Sequence, residues 1–139
     1  MSTFPIFIPG TPIPQGSKST TRTGVMYEAN RKLRPWRDVM AAHLAAWTGT
    51  WFGAWEPYDG PLDVDVTFWM PRPQRPRYSL PAVKPDVDKL CRALGDAMTE
   101  AGLIRDDARI TTWHARKRYA EPGREGITIY SIHTDEGES

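Results

Sequence analysis

Between Leu62 and Met70 the chain alternates strictly: Leu62, Val64, Val66, Phe68 and Met70 are apolar, while Asp63, Asp65, Thr67 and Trp69 fall between them. A period of two places every apolar side chain on one face, so this run is a strand with one buried side that needs a second layer to cover it. It is followed at once by PRPQRPRYSLPAVKP, from Pro71 to Pro85. That stretch can be neither helix nor central strand, because prolines lack a backbone donor and restrict the residues before them. The chain therefore leaves the sheet in an extended loop before its next regular element.

The remaining segments supply the covering layer. Trp36, Val39, Met40, Leu44 and Trp47 recur at three- and four-residue spacing, which predicts a first helix from about Arg31 to Trp47. Leu90, Leu94, Ala97, Met98 and Ala101 predict a second, from about Asp86 to Ala101, with Gly102 as its stop. Phe4, Ile6 and Ile8 before Pro9-Gly10 read as a short opening strand, and Thr11 to Gly24 as a loop rich in Gly, Pro, Ser and Thr. Arg109 to Tyr119 and Gly126 to His133 read as closing strands, joined as a hairpin across Glu121-Pro122-Gly123-Arg124. The order β-α-β-α-β-β predicts an α+β fold of two layers, a mostly antiparallel sheet packed with two helices. At 139 residues the whole chain, 1–139, is expected to form one domain.

A single cysteine, Cys91, excludes an intrachain disulfide and a cysteine cage for zinc, and suits a reducing compartment. The N-terminus MSTFPIFIPG is too short and too interrupted by proline for a signal peptide, and no stretch approaches the roughly 20 apolar residues of a membrane span. A cytoplasmic protein with no membrane partner is the expectation. The net charge is +1, yet the charges are segregated. Lys18, Arg22, Arg31, Lys32, Arg34 and Arg37 stand against the single acid Glu28, and the proline-rich loop carries Arg72, Arg75, Arg77 and Lys84 with no acid. The acids gather at Asp63 and Asp65, from Asp86 to Asp107, and in the tail. Basic segments around a compact acidic group suit a protein that holds phosphates and a divalent cation side by side; solvated loops would read the same way on charge alone.

Asp86 and Asp88 open the second helix, where unpaired N–H groups and the macrodipole favour negative charge. One capping aspartate is commonplace; two carboxylates at a loop–helix junction exceed what a cap needs. Asp106-Asp107 follows the helix stop closely and precedes a strand. A helix of about 16 residues is roughly 24 Å long, so spacing alone does not bring Asp107 to Asp86: a returning strand or another subunit would have to do so, and the pair equally suits a turn. His43, His114 and His133 are too scattered to suggest a zinc site.

The segment KPDVDKLCRALGDAMTEAGLIRDDARI, Lys84 to Ile110, resembles the signature of the RusA family of Holliday junction resolvases: a basic residue and Asp-x-Asp-Asn-Leu, a helix with a further Asp-Ala, then Gly and a closing Asp-Asp. The segments IPGTPIPQGSK and KLRPWRD resemble phage and prophage members, so the similarity covers nearly the whole chain. The resemblance implies that Asp86, Asp88 and Asp107 are catalytic metal ligands with Asp106 beside them, that the metal is Mg²⁺ with Mn²⁺ as a substitute, and that the protein is a homodimer resolving four-way and other branched DNA in recombination and repair. Asp96 matches the helical aspartate and is expected to serve the helix or its packing. Two positions depart from the pattern. Lys89 replaces the usual asparagine, and Arg92 stands where the family often has a functional lysine; Arg keeps the charge and a bidentate grip on phosphate but does not readily give up a proton.

For DNA, Lys18, Arg72, Arg75, Arg77, Lys84 and Lys89 would hold phosphates, with Arg116, Lys117 and Arg118 a further stripe. Trp69, Tyr78 and Trp113 are candidate wedges at an opened junction, although core packing or an interface would use them equally well. The alternatives are a nuclease of broader taste acting on flaps or forks, and a junction-binding protein without catalysis.

Overall fold

The computed structural model describes residues 4–16, 24–49 and 55–134, with side chains in the first helix from residue 31 onward. The elements run β1 (Ile6–Pro9), α1 (Gly24–Thr48), β2 (Leu62–Met70), α2 (Val87–Glu100), β3 (Ile110–Tyr119) and β4 (Gly126–Thr134), with a 3-10 turn over Asp107–Arg109 leading into β3. This is the expected α+β order. The alternation in β2 does what its pattern requires: Leu62, Val64, Val66 and Phe68 are fully buried. They pack with Trp36, Met40 and Leu44 of α1 and Leu90, Leu94, Ala97 and Met98 of α2 in one core. Val39, expected on the apolar face of α1, is instead exposed. The helix also begins at Gly24 rather than near Arg31, because its first turns precede the apolar stripe that periodicity detects. Among the described residues no helix is long and apolar enough to cross a membrane.

The sheet is mostly antiparallel but mixed, in the order β1-β4-β2-β3. The expected β3–β4 hairpin does not form. β4 lies between β1 and β2 and pairs antiparallel with both, while β3 runs parallel to β2 at the far edge. The reason is the helix between β2 and β3: a strand–helix–strand unit whose helix returns over the sheet sets its two strands side by side and parallel. Residues 120–125 therefore carry the chain past the end of β2 to its other side. Ala120 N–H still donates to Met70 O at 2.8 Å before the chain departs. At the start of β4 the backbone comes so near β1 that a Cβ on Gly126 would lie 2.4 Å from Ile8 O, which only glycine avoids.

Candidate active site

α2 starts at Asp86, an N-cap in extended conformation whose side chain makes no capping hydrogen bond. From there Asp88, Arg92 and Gly95 recur at i, i+4 and i+7 and so share one side of the helix. The opposite side, with Leu90, Leu94 and Met98, is buried in the core.

The helix ends in a Schellman-type reversal. Gly102 adopts φ +79°, its N–H donates to Thr99 O at 3.1 Å, and Leu103 N–H reaches back to Met98 O at 2.9 Å. Buried Leu103 and Ile104 pull the chain back against the core, and Leu103 and Arg105 exchange backbone hydrogen bonds with Tyr58 at 3.0 and 2.8 Å. The chain then runs back alongside α2. Asp106 caps the 3-10 turn by accepting from Ala108 N–H at 3.1 Å, and Asp107 arrives opposite the middle of the helix. A Cβ on Gly95 would stand 3.2 Å from that of Asp107, so the missing side chain is what lets the aspartate in.

The reversal thus returns Asp107, within a single chain, to the middle of α2 beside Gly95 and not to Asp86 at its start. A cleft of about 490 Å³ results, lined by Val87, Asp88, Cys91, Arg92 and Gly95 of α2, Asp107 of the turn, and Trp113 and Ala115 of β3. Asp88, Arg92 and Asp107 are exposed to solvent here. Asp86 lies outside this lining, exposed, with its carboxylate 4.0 Å from Lys89 Nζ.

The electrostatics are those of crowded carboxylates. Burial raises the pKa of Asp107, and so do Asp106, which hydrogen-bonds to it, and the charge of Asp96. Asp106 is lowered, chiefly by the N–H of Ala108. Asp96, expected only to serve the helix, thus faces Asp107 closely enough to perturb it. The neighbouring thiol of Cys91 is pushed up to about 12 by burial and by Asp88, which keeps it protonated and inert at neutral pH.

Among the described residues no set of three or more acid, histidine or cysteine side chains is arranged to hold a metal ion. Asp88 and Asp107 nevertheless offer oxygen ligands to one cleft, which fits a hard dication that retains most of its waters, since Mg²⁺ is commonly held by one or two carboxylates.

Around the cleft the basic groups divide. Arg72, Arg75, Arg77 and Lys84 are exposed on the proline-rich loop, which with Tyr119 and Lys117 lines a second hollow of about 370 Å³. Lys18 and Arg22 lie outside the described residues. The loop leading towards Lys18 is nevertheless tied to α2, because Gln15 N–H donates to Lys89 O at 3.0 Å. The Arg116-Lys117-Arg118 triplet is not one stripe, because successive strand residues point to opposite faces. Arg116 lies on the open face of the sheet, paired with Asp65 at 2.9 Å and 5.8 Å from the Tyr130 ring. Lys117 is on the helix side, its ammonium donating to Val83 O and Pro85 O at 2.6 and 2.7 Å.

The aromatic candidates divide likewise. Trp113 lines the cleft, Trp69 donates to Thr128 on the open face at 3.0 Å, and Tyr78 is exposed beneath the Arg77 guanidinium at 5.4 Å. His114 pairs with Asp63 at 3.1 Å, while His43 and His133 are exposed.

Sequence reasoning missed two contributors. Gly95 could have been found, since a glycine inside a helix costs stability and signals close approach. Asp59 could not: it pairs with Arg109 Nε at 2.6 Å and Arg105 Nε at 3.7 Å, bracing the turn that holds Asp107.

The family model of endodeoxyribonuclease RusA matches residues 9–130 of this chain, which include both walls of the cleft and every acid around it. The chain belongs to the RusA endodeoxyribonuclease family. A comparison with curated proteins finds no match. Membership places the chain among nucleases, hydrolases of the phosphodiester bond.

Proposed function

We propose that this RusA-family protein is a Mg²⁺-dependent resolvase of four-way DNA junctions, acting in the cytoplasm in recombination and repair. The observation that carries the reading is the meeting of Asp88 and Arg92 of α2 with Asp107, returned across Gly95, in one solvent-open cleft. Asp88 and Asp107 would hold the ion, with Asp106 and Asp96 the carboxylates that reach Asp107 and Asp86, at the start of the helix, a further candidate; Mn²⁺ would serve in its place. When bound, the metal supplies an activated water and charge stabilisation for phosphodiester hydrolysis. Arg92 steadies the phosphate through its guanidinium and stabilises charge that develops on the phosphate oxygens. Trp113 and Ala115 form the apolar wall that limits water on the far side of the cleft. Arg72, Arg75, Arg77 and Lys84, on the loop that leads into Asp86, hold flanking phosphates. Two cuts placed symmetrically on a four-way junction call for a C2 homodimer.

The test is cleavage of synthetic four-way, three-way and linear duplex DNA with and without Mg²⁺. Metal-dependent, paired cutting of the four-way substrate is expected. Equal cutting of flaps and forks would mark a broader nuclease, and binding without cutting a junction-binding protein. Asp88→Asn and Asp107→Asn should each abolish cutting with binding near normal, and Asp86→Asn should do so if its carboxylate joins the ion. Arg92→Ala should lower the single-turnover rate about a hundredfold, with Arg92→Lys restoring much of it.

A further inference from the structure

Lys117 is a basic residue of a nucleic-acid enzyme, yet its charge is already committed. Its ammonium has three donors, and two of them are aimed at the main-chain carbonyls of Val83 and Pro85, at 2.6 and 2.7 Å. Those carbonyls belong to the segment immediately before Asp86. Within that segment Pro85 has no N–H to donate, and the Asp86 side chain that follows makes no capping bond to fix the helix start. Lys117 itself stands on a firm base, since β3 pairs with β2 along its whole length and Lys117 sits in register with Phe68 of the buried core. Its neighbours Arg116 and Arg118 face the other side of the sheet. The residue therefore links the strand that carries one wall of the cleft, Trp113 and Ala115, to the start of the helix that carries the other, Val87 and Asp88. Charge-assisted bonds of this length are among the stronger tethers a loop can have.

We propose that Lys117 is a positioning residue of the nuclease, not a DNA contact: it pins the Val83–Pro85 segment and thereby sets where Asp86 and Asp88 stand relative to Asp107. The inference rests on the proposed junction cleavage for its catalytic consequence, but the tether has readouts of its own. Lys117→Met keeps the apolar stem and removes the donors.

In that variant, amide hydrogen exchange over residues 83–88 rises. The single-turnover rate at saturating junction falls at least tenfold, while junction affinity and its salt dependence stay unchanged. A phosphate contact would behave oppositely, lowering the log–log salt slope by about one unit and weakening binding with exchange unaltered; that outcome overturns the proposal, as does a variant indistinguishable from the parent. Arg72→Met, on the same loop, serves as the control that does lower the slope. Should Lys117→Met fail to fold, the ¹⁵N-edited signal of the Lys117 ammonium in the unmodified protein decides. A resolved signal that stays in place when junction is added supports the tether, and one that sharpens or shifts on binding overturns it. A parent protein that cuts no junction at all refutes the proposed function, while the exchange and ammonium measurements still report on the tether.

Discussion

Asp59 shows how an exposed residue can matter to a site it does not line. Its carboxylate is held below the usual range, first by the hydrogen bond from Arg109, then by the Gly60 N–H and the charges of Arg109 and Arg105. A carboxyl lowered in the folded state contributes stability that is present above its ordinary pKa and is lost as pH falls through the lowered value. Asp59→Asn should therefore reduce the melting temperature slightly at neutral pH, and the difference from the parent should vanish in strong acid. A difference that persisted in acid would mean that the ion pairs are not its source. The same variant frees the Asp107–Arg109 turn, so cutting should slow more than stability falls. Asp107 is perturbed the other way, raised by burial and by Asp106 and Asp96. Removing its charge relieves repulsion, so Asp107→Asn should fold at least as stably as the parent while cutting nothing. A clear loss of melting temperature in Asp107→Asn would make the residue structural.

At the scale of the element, α2 is built for its partners and not for its own propensity. An interior glycine makes a helix less stable than alanine would by about 0.5–1 kcal/mol. Gly95 is retained opposite Asp107, where a Cβ would press at 3.2 Å. Because Asp107 sits on an exposed 3-10 turn that can yield by a few tenths of an ångström, Gly95→Ala should leave the melting temperature unchanged or raise it. The displaced carboxylate should nevertheless slow cutting, on the order of tenfold. Thermal melts and single-turnover rates on the same protein check both halves, and a variant as active as the parent would remove Gly95 from the design of the cleft. The existence of α2, its apolar face and its stop at Gly102 were legible in the residues, because a 3.6 periodicity and a glycine terminus are local signals. The return of Asp107 was not, because it depends on where Leu103 and Ile104 bury themselves.

Across the whole molecule, the acid-free loop from Arg72 to Lys84 and the acidic cleft make a divided electrostatic surface despite a net charge of +1. Replacing Arg72, Arg75, Arg77 and Lys84 together by alanine should weaken junction binding and flatten its salt dependence by roughly one unit of log–log slope per lost contact. An unchanged slope, measured between about 50 and 200 mM salt, would return the loop to a solvated surface. Composition and pattern alone determined the two-layer α+β class and the helix that carries Asp88 and Arg92, since each is written in neighbouring residues, while the resemblance to the RusA signature singled out the acids. Tertiary structure alone decided three things. It placed β4 between β1 and β2, where a hairpin with β3 had been expected, because the α2 crossover claims the edge of β2 for β3. It set Lys117, which strand alternation already places on the face opposite Arg116 and Arg118, against the carbonyls of Val83 and Pro85, because the loop after β2 folds back over that face of β3. And it brought Asp107 beside Gly95 and left Asp86 outside the cleft, because only the folded core determines how far the chain after Gly102 is drawn back along the helix.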